Sequence, residues 1–159
     1  MTTLIAPHIV RDHCLAPGRV DAPLSGGRYR RLFDDKKTHA AGVVIGAQAD
    51  MWDPEKGAAH QAAYEPFVKS IASHTTELRR PVLMFNGDSH VYQSGDPPSP
   101  SDPLYSMHPG SDVPNFHRVV VHGSTFPLEW LKLTVDPRAD APNGDTAFGR
   151  FGWQREIQP

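Results

Sequence analysis

The chain has 159 residues, a hydrophobic fraction of 38% and a formal net charge of −2. That length suits one domain able to bury a real core, and the near-neutral balance argues against a nucleic-acid binder, which would show a basic face or stripe. Sixteen prolines and thirteen glycines imply much loop.

Cys14 is the single cysteine, so an intrachain disulfide and a thiolate metal cluster are both excluded. The start, Met1 to His8, has neither the basic opening nor the apolar stretch of a signal peptide. No segment has the length of a membrane span. A cytoplasmic location without membrane association is the resulting expectation. Residues 1–40 show no period, because Pro, Gly and Arg interrupt every short apolar run. They read as an extended arm, leaving 41–159 as the folded domain.

Gly42-Val43-Val44-Ile45-Gly46-Ala47 is a short β-branched run and fits a buried strand. Gln48 to Pro54 follows as a loop, with Asp53-Pro54 as a turn or helix-start signal. Over residues 58–79, Ala59, Ala63, Phe67 and Ile71 recur at helical spacing with Tyr64, Val68 and Leu78. Pro66 breaks that pattern, so the continuous helix is expected to begin near Glu65. Pro81 ends the helix and opens a second apolar run, Val82 to Asn86. Strand, helix, strand is a βαβ unit with parallel strands and a right-handed crossover.

Residues 93–114 read as a long loop rich in Pro, Ser, Gly and Asp, of a kind that is functional or disordered. Three further segments, 116–121, 129–135 and 148–157, read as an antiparallel meander. Trp52 and Trp130 are expected in the core. His117 and Arg118 lie in a strand, with Arg118 in a surface ion pair or on a phosphate. His39, His60 and His74 are expected at the surface, and His108 sits in the long loop.

Ligands of parallel sheets collect at the carboxyl ends of the strands. Here the first strand ends in Gln48 and Asp50, and the second in Asn86-Gly87-Asp88-Ser89-His90. Gly87 permits a sharp turn. Asp88 and His90, two residues apart, point the same way in an extended loop. An oxygen and an imidazole together suit a divalent metal such as Zn, Mn or Fe, or an oriented general base. The plainer reading has Asp88 capping a turn and His90 packing on Tyr92. His122, after the third strand, either reaches this site or is structural.

The stretch Pro81 to Tyr92 resembles the closing part of the calcineurin-like metallophosphoesterase superfamily. So do Val113 to Val119, Gly123-Ser124-Thr125 and Trp130 to Arg138, while Val44 to Asp53 looks like the preceding strand and loop. The resemblance covers roughly residues 42–138. It implies an α/β/β/α sandwich around two metal ions and hydrolysis of phosphate esters. It also implies a metal-ligand role for His90, which matches the last histidine of the family's Gly-His-any-His loop. Asp88 stands where that loop has its other histidine, and Gln48 and Asp50 stand where the preceding strand supplies one. Metal ligation by His90, Asp88 and Asp50, and substrate contact by Asn86, Gln48 and His122, are the resulting expectations.

The family's earlier motifs, Asp-any-His, Gly-Asp-any-any-Asp and Gly-Asn-His-Asp/Glu, are absent before residue 40; Arg11-Asp12-His13 is no match. The resemblance is therefore to the C-terminal half, and half of a sandwich leaves a sheet face for another copy or another chain to cover. Two functions follow as expectations: a metal-dependent phosphoesterase with an incomplete ligand set, or a non-catalytic self-associating or partner-binding module of that fold.

Overall fold

The computed structural model describes residues 41–123, 129–136 and 141–157. The expected arm over residues 1–40, with Cys14 and His39, lies outside the described residues, as do Ser124, Thr125, Pro137 and Arg138 of the resembling segments. The elements in chain order are β1 (Val43–Ala47), α1 (Gly57–Leu78), β2 (Val82–Asn86), β3 (Gln93–Gly95), β4 (Phe116–Val120), β5 (Glu129–Val135), β6 (Ala141–Gly144), β7 (Ala147–Gly149) and β8 (Phe151–Ile157).

The βαβ unit forms as its periodicity predicts. β1 and β2 pair in parallel, Val43 opposite Val82 and Ala47 opposite Asn86. β4 then pairs in parallel on the other side of β2, Val82 opposite Phe116. The short β3 closes that edge antiparallel to β4, so the first sheet has the order β1-β2-β4-β3. The second sheet is antiparallel, in the order β5-β8-β7-β6. The three-segment meander is thus corrected. Residues 116–120 belong to the parallel sheet, and 148–157 divides at Arg150 into β7 and β8. The long loop is corrected as well, since it contains β3 and a 3-10 turn at Tyr105–Met107.

Alternation sorts the side chains of the first sheet onto two cores. On one face Val82, Met84 and Phe116 pack against Val68, Ile71, Ala72 and Leu78 of α1, with Met51 and Trp52. On the other, Leu83 and Val119 meet Phe148, Phe151 and Trp153 of the second sheet. The layers run α/β/β. β4 is buried along its whole length, as a strand covered on both faces must be. Each fully buried Leu, Met, Phe or Val in these layers contributes about 1.5–3 kcal/mol over exposure.

α1 is continuous from Gly57 through Pro66 to Leu78, earlier at its start than the proline suggests. Pro66 is exposed to solvent, and the helix carries it with one backbone hydrogen bond fewer. Arg79 caps the helix in the left-handed region, φ 55°, its N–H donating to Thr75 O. Among the described residues no helix is long and apolar enough to cross a membrane.

The second sheet is covered unevenly. Glu129, Leu131, Leu133 and Val135 of β5 lie opposite Ile157, Arg155, Trp153 and Phe151 of β8, so all share the inward face. Phe151 and Trp153 are buried, yet Leu133 is 37% exposed, Val135 40% and Ile157 55%. In the first sheet Val44 of β1, whose neighbours Val43 and Ile45 pack toward α1, is 39% exposed. Trp130 points to the opposite, outward face and is 56% exposed, which corrects its expected place in the core; Trp52 is buried as expected.

Replacing Pro66 by Ala restores an i→i−4 hydrogen bond at an exposed helix position. It should raise stability by about 1–3 kcal/mol. The check is urea denaturation, with the midpoint rising at unchanged slope.

Candidate functional site

The parallel strands deliver their carboxyl ends to one side of the sheet. Gln48 to Asp53 follows β1, Asn86 to His90 follows β2, and Val121 to Gly123 follows β4. Backbone bonds lock the last two together: Val121 N–H donates to Asn86 O at 2.8 Å and Gly123 N–H to His90 O at 3.3 Å.

The Asn86–His90 loop is not extended. Asp88 has φ 83° and His90 φ 62°, both in the left-handed region, where non-glycine residues are uncommon and concentrate at functional sites. Their side chains therefore do not follow a simple i, i+2 alternation, which corrects that premise. His90 is exposed and its imidazole lies on Gly123, where an added Cβ would come within 2.4 Å of His90 Cγ. Gly123, rather than Tyr92, is the surface on which this histidine rests. Asp88 is half-buried and its Oδ2 lies 3.5 Å from Lys56 Nζ, just ahead of α1.

The other expected site residues divide. Gln48 is exposed, with its side-chain amide beside Gly87. Asn86 is buried; its amide N–H donates to Gly87 O at 3.2 Å, while its Oδ1 has no hydrogen-bond partner. His122 Nδ1–H donates to Gly123 O at 3.1 Å, which holds the ring against its own loop. Gln48, Asn86, Asp88 and His90 thus belong to adjoining loops at one sheet end.

Asp50 has other work. Its Oδ1 accepts from Arg118 Nη1 at 2.7 Å and from Trp52 N–H at 3.0 Å. Both side chains are almost wholly buried, 1% for Asp50 and 2% for Arg118. Arg118 is therefore not a surface residue. Its Nη2 donates to Gln93 Oε1 at 2.9 Å and its guanidinium lies 5.4 Å from the Trp52 ring centre. Burial pulls the guanidinium below its ordinary pKa, and the Asp50 carboxylate opposes that shift. The sequence carried a signal of this pair. An arginine inside Phe116-His117-Arg118-Val119-Val120 cannot be buried without a partner, though nothing in the spacing singles out Asp50, which lies in the loop after β1, two strands from β4.

Two histidines near this end are structural. His108 is buried, with Nε2 2.9 Å from Met51 O and its ring edge-on to Trp52 at 5.7 Å. His60 Nε2 lies 2.7 Å from Asp50 O. Together they fix the backbone of the loop that carries Asp50.

A divalent metal of the kind the resemblance implies would need three or more protein ligands. Among the described residues no group of three or more His, Cys, Asp or Glu side chains is placed to hold one. Asp88 and His90 supply two such groups from one loop, and the Asp50 carboxylate is held by Arg118. Oδ2 of Asp50 and Oγ of Ser89 are buried without a hydrogen-bond partner. They add oxygen character to the region but do not complete a centre, so no catalytic step is derived through a metal in this chain.

Arg118→Leu should lower stability by about 3–5 kcal/mol, because it leaves Asp50 buried without its cation. The double variant Asp50→Leu, Arg118→Leu should recover a large part of that loss. A double-mutant cycle by chemical denaturation gives the coupling. Compared with models of protein families, with curated proteins and with solved structures, the chain matches none.

Proposed function

We propose that this chain is a self-associating module of metallophosphoesterase-like fold whose ligand loop, Asp88 and His90, forms only part of a metal site. The observation that carries this reading is the inward strip of Leu133, Val135 and Ile157, all well exposed on a face whose other half is core. Apolar residues grouped on one side of a sheet edge mark an interaction surface rather than scattered surface hydrophobics.

A second copy is the occupant that fits. β5 stands at an edge of its sheet among the described residues, and an edge strand offers backbone groups for pairing with another chain. A two-fold arrangement pairs β5 with β5 and covers both strips at once. Glu129 and Arg155 mark the two sides of this region. Arg155 Nε and Nη2 donate to the Glu129 carboxylate at 2.7 and 2.6 Å, a bidentate pair that ties β5 to β8 and holds the Glu129 carboxyl below its usual range.

In this reading Asp88 and His90 contribute to a divalent centre, of Mn, Zn or Fe, only with ligands from another chain. Phosphate-ester hydrolysis is then a property of that assembly. The enzyme reading, in which this chain alone hydrolyses such esters, is favoured by the positive-φ strain at Asp88 and His90.

Sedimentation velocity over a range of concentrations is the test. The chain should dimerise, and Leu133→Asp with Val135→Asp should weaken association at least tenfold, about 1.4 kcal/mol. A wild-type chain that stays monomeric and well folded would overturn the module reading. Purified without chelator, the chain alone should carry less than one equivalent of metal and should not turn over nitrophenyl phosphate with added Mn or Zn. Turnover by monomer, lost in Asp88→Ala and His90→Ala, would establish the enzyme reading instead.

A further inference from the structure

On the face of β4 away from Arg118, a second polar group sits in an otherwise apolar wall. His117 is nearly buried, its side chain 6% exposed. Its ring stacks on Phe148 at 5.2 Å and 22°, and lies 5.2 Å from the Trp153 ring. Both ring nitrogens are engaged. Nδ1 is 2.7 Å from Asp96 Oδ1, and Nε2 is 2.8 Å from Ser94 Oγ. A carboxylate accepts, so Nδ1 carries a proton, and in the tautomer with Nδ1–H alone Nε2 is the acceptor for the serine hydroxyl. The order is carboxylate, imidazole, hydroxyl, with both contacts at hydrogen-bond length. It is the arrangement in which a serine is activated by a neutral, oriented histidine.

The three residues come from different places in the fold. Ser94 is in β3, Asp96 just beyond it, and His117 in β4, which pairs with β3. The carboxylate is positioned from behind. Asp96 N–H donates to Asp102 Oδ2 at 2.7 Å, and a Cβ at Gly95 would lie 2.7 Å from that same oxygen, so a larger residue there would push the Asp102 carboxylate aside. Asp102 is itself fixed through Oδ1, which accepts from Leu104 N–H at 2.8 Å. Ser94 is half-buried, at the margin of the two sheets. Its Oγ has a second, longer contact, 3.3 Å to Asp145 O, and Tyr92 beside it donates to the same carbonyl at 3.0 Å.

We propose that Ser94, His117 and Asp96 form a serine-nucleophile site that cleaves small carboxylic esters. Ser94 Oγ bonds to the ester carbonyl carbon as its proton passes to His117 Nε2. The bond from that carbon to the alcohol oxygen breaks, and the alcohol leaves with the proton from Nε2. Water, deprotonated by the same nitrogen, then releases the carboxylic acid and restores Ser94. Asp96 is a positioning residue, holding the tautomer and orientation of the ring. Tyr92, Phe148 and Trp153 give the surroundings an aromatic character suited to an aryl or short acyl group. The site is separate from the Asp88–His90 loop and uses no metal.

The experiment treats the whole chain with phenylmethylsulfonyl fluoride and locates the adduct by peptide mass spectrometry, with nitrophenyl acetate hydrolysis measured in parallel. Ser94 should be modified, and His117→Gln should slow modification about 100-fold, the scale of a lost general base. Asp96→Asn tests the relay without opening the core, because the Asp96 side chain is 48% exposed. It should also slow labelling, while near-ultraviolet circular dichroism stays as in the wild type. Activity should survive chelator. The proposal is overturned if folded wild-type protein leaves Ser94 unmodified, or if Asp96→Asn labels at the wild-type rate.

Discussion

β4 is the constraint on which the rest depends. It is covered by helix on one face and by the second sheet on the other, yet its middle carries two adjacent polar residues, His117 and Arg118. Alternation sends them to opposite faces. A buried cation needs a buried anion, and an imidazole in an apolar wall needs both nitrogens satisfied. Arg118 draws the loop after β1 inward through Asp50. His117 draws the chain beyond β3 inward through Asp96. The two carboxylates come from sequence positions 68 and 21 residues away. Each pairing therefore sets the position of a loop that hydrophobic burial alone would leave undetermined.

That division explains the shape of the sheet end. Asp50 is anchored under Trp52, and His60 and His108 hold the same loop by its carbonyls. The Asn86–His90 loop then faces a fixed neighbour on one side and Gly123 on the other. Its two positive-φ residues are strained, of order 1–3 kcal/mol each, and the backbone bonds to Val121 and Gly123 hold them there. The strain sits at the half-buried Asp88 and the exposed His90, at the carboxyl end of the sheet.

Much of the layer architecture was legible in the sequence. The β-branched runs at Val43–Ala47 and Val82–Asn86 and the helical spacing between them carry their own periods, and no tertiary knowledge is needed to read them. The errors have a common cause. Phe116 to Val121 looked like the first strand of a meander because its alternation is weak. It is weak because the strand is buried on both faces, which is also the signature of a parallel sheet. Trp130 has the residue type of a core position, but alternation along β5 turns it to the outward face. At the candidate site the same limit applies. Residues of one loop, Asp88 and His90, are legible as a pair, whereas the partners of Arg118 and His117 are not, because pairing across strands depends on register and crossover order.

The exposed strip on β5 and the buried polar pairs of β4 are consequences of one geometry. The first sheet has four short strands, and β4, one strand in from its β3 edge, carries the polar anchors. The second sheet packs where those anchors lie, with Phe148 and Trp153 on His117. Having committed its inward aromatics there, it leaves Leu133, Val135 and Ile157 beyond the rim. Shifting the second sheet to cover them would strip the aromatic rings from His117. Burying about 25 cal/mol for each Å² of apolar strip would then be set against exposing larger aromatic area and loosening a hydrogen-bonded chain. Among the described residues the strip is therefore left uncovered by the packing that satisfies His117.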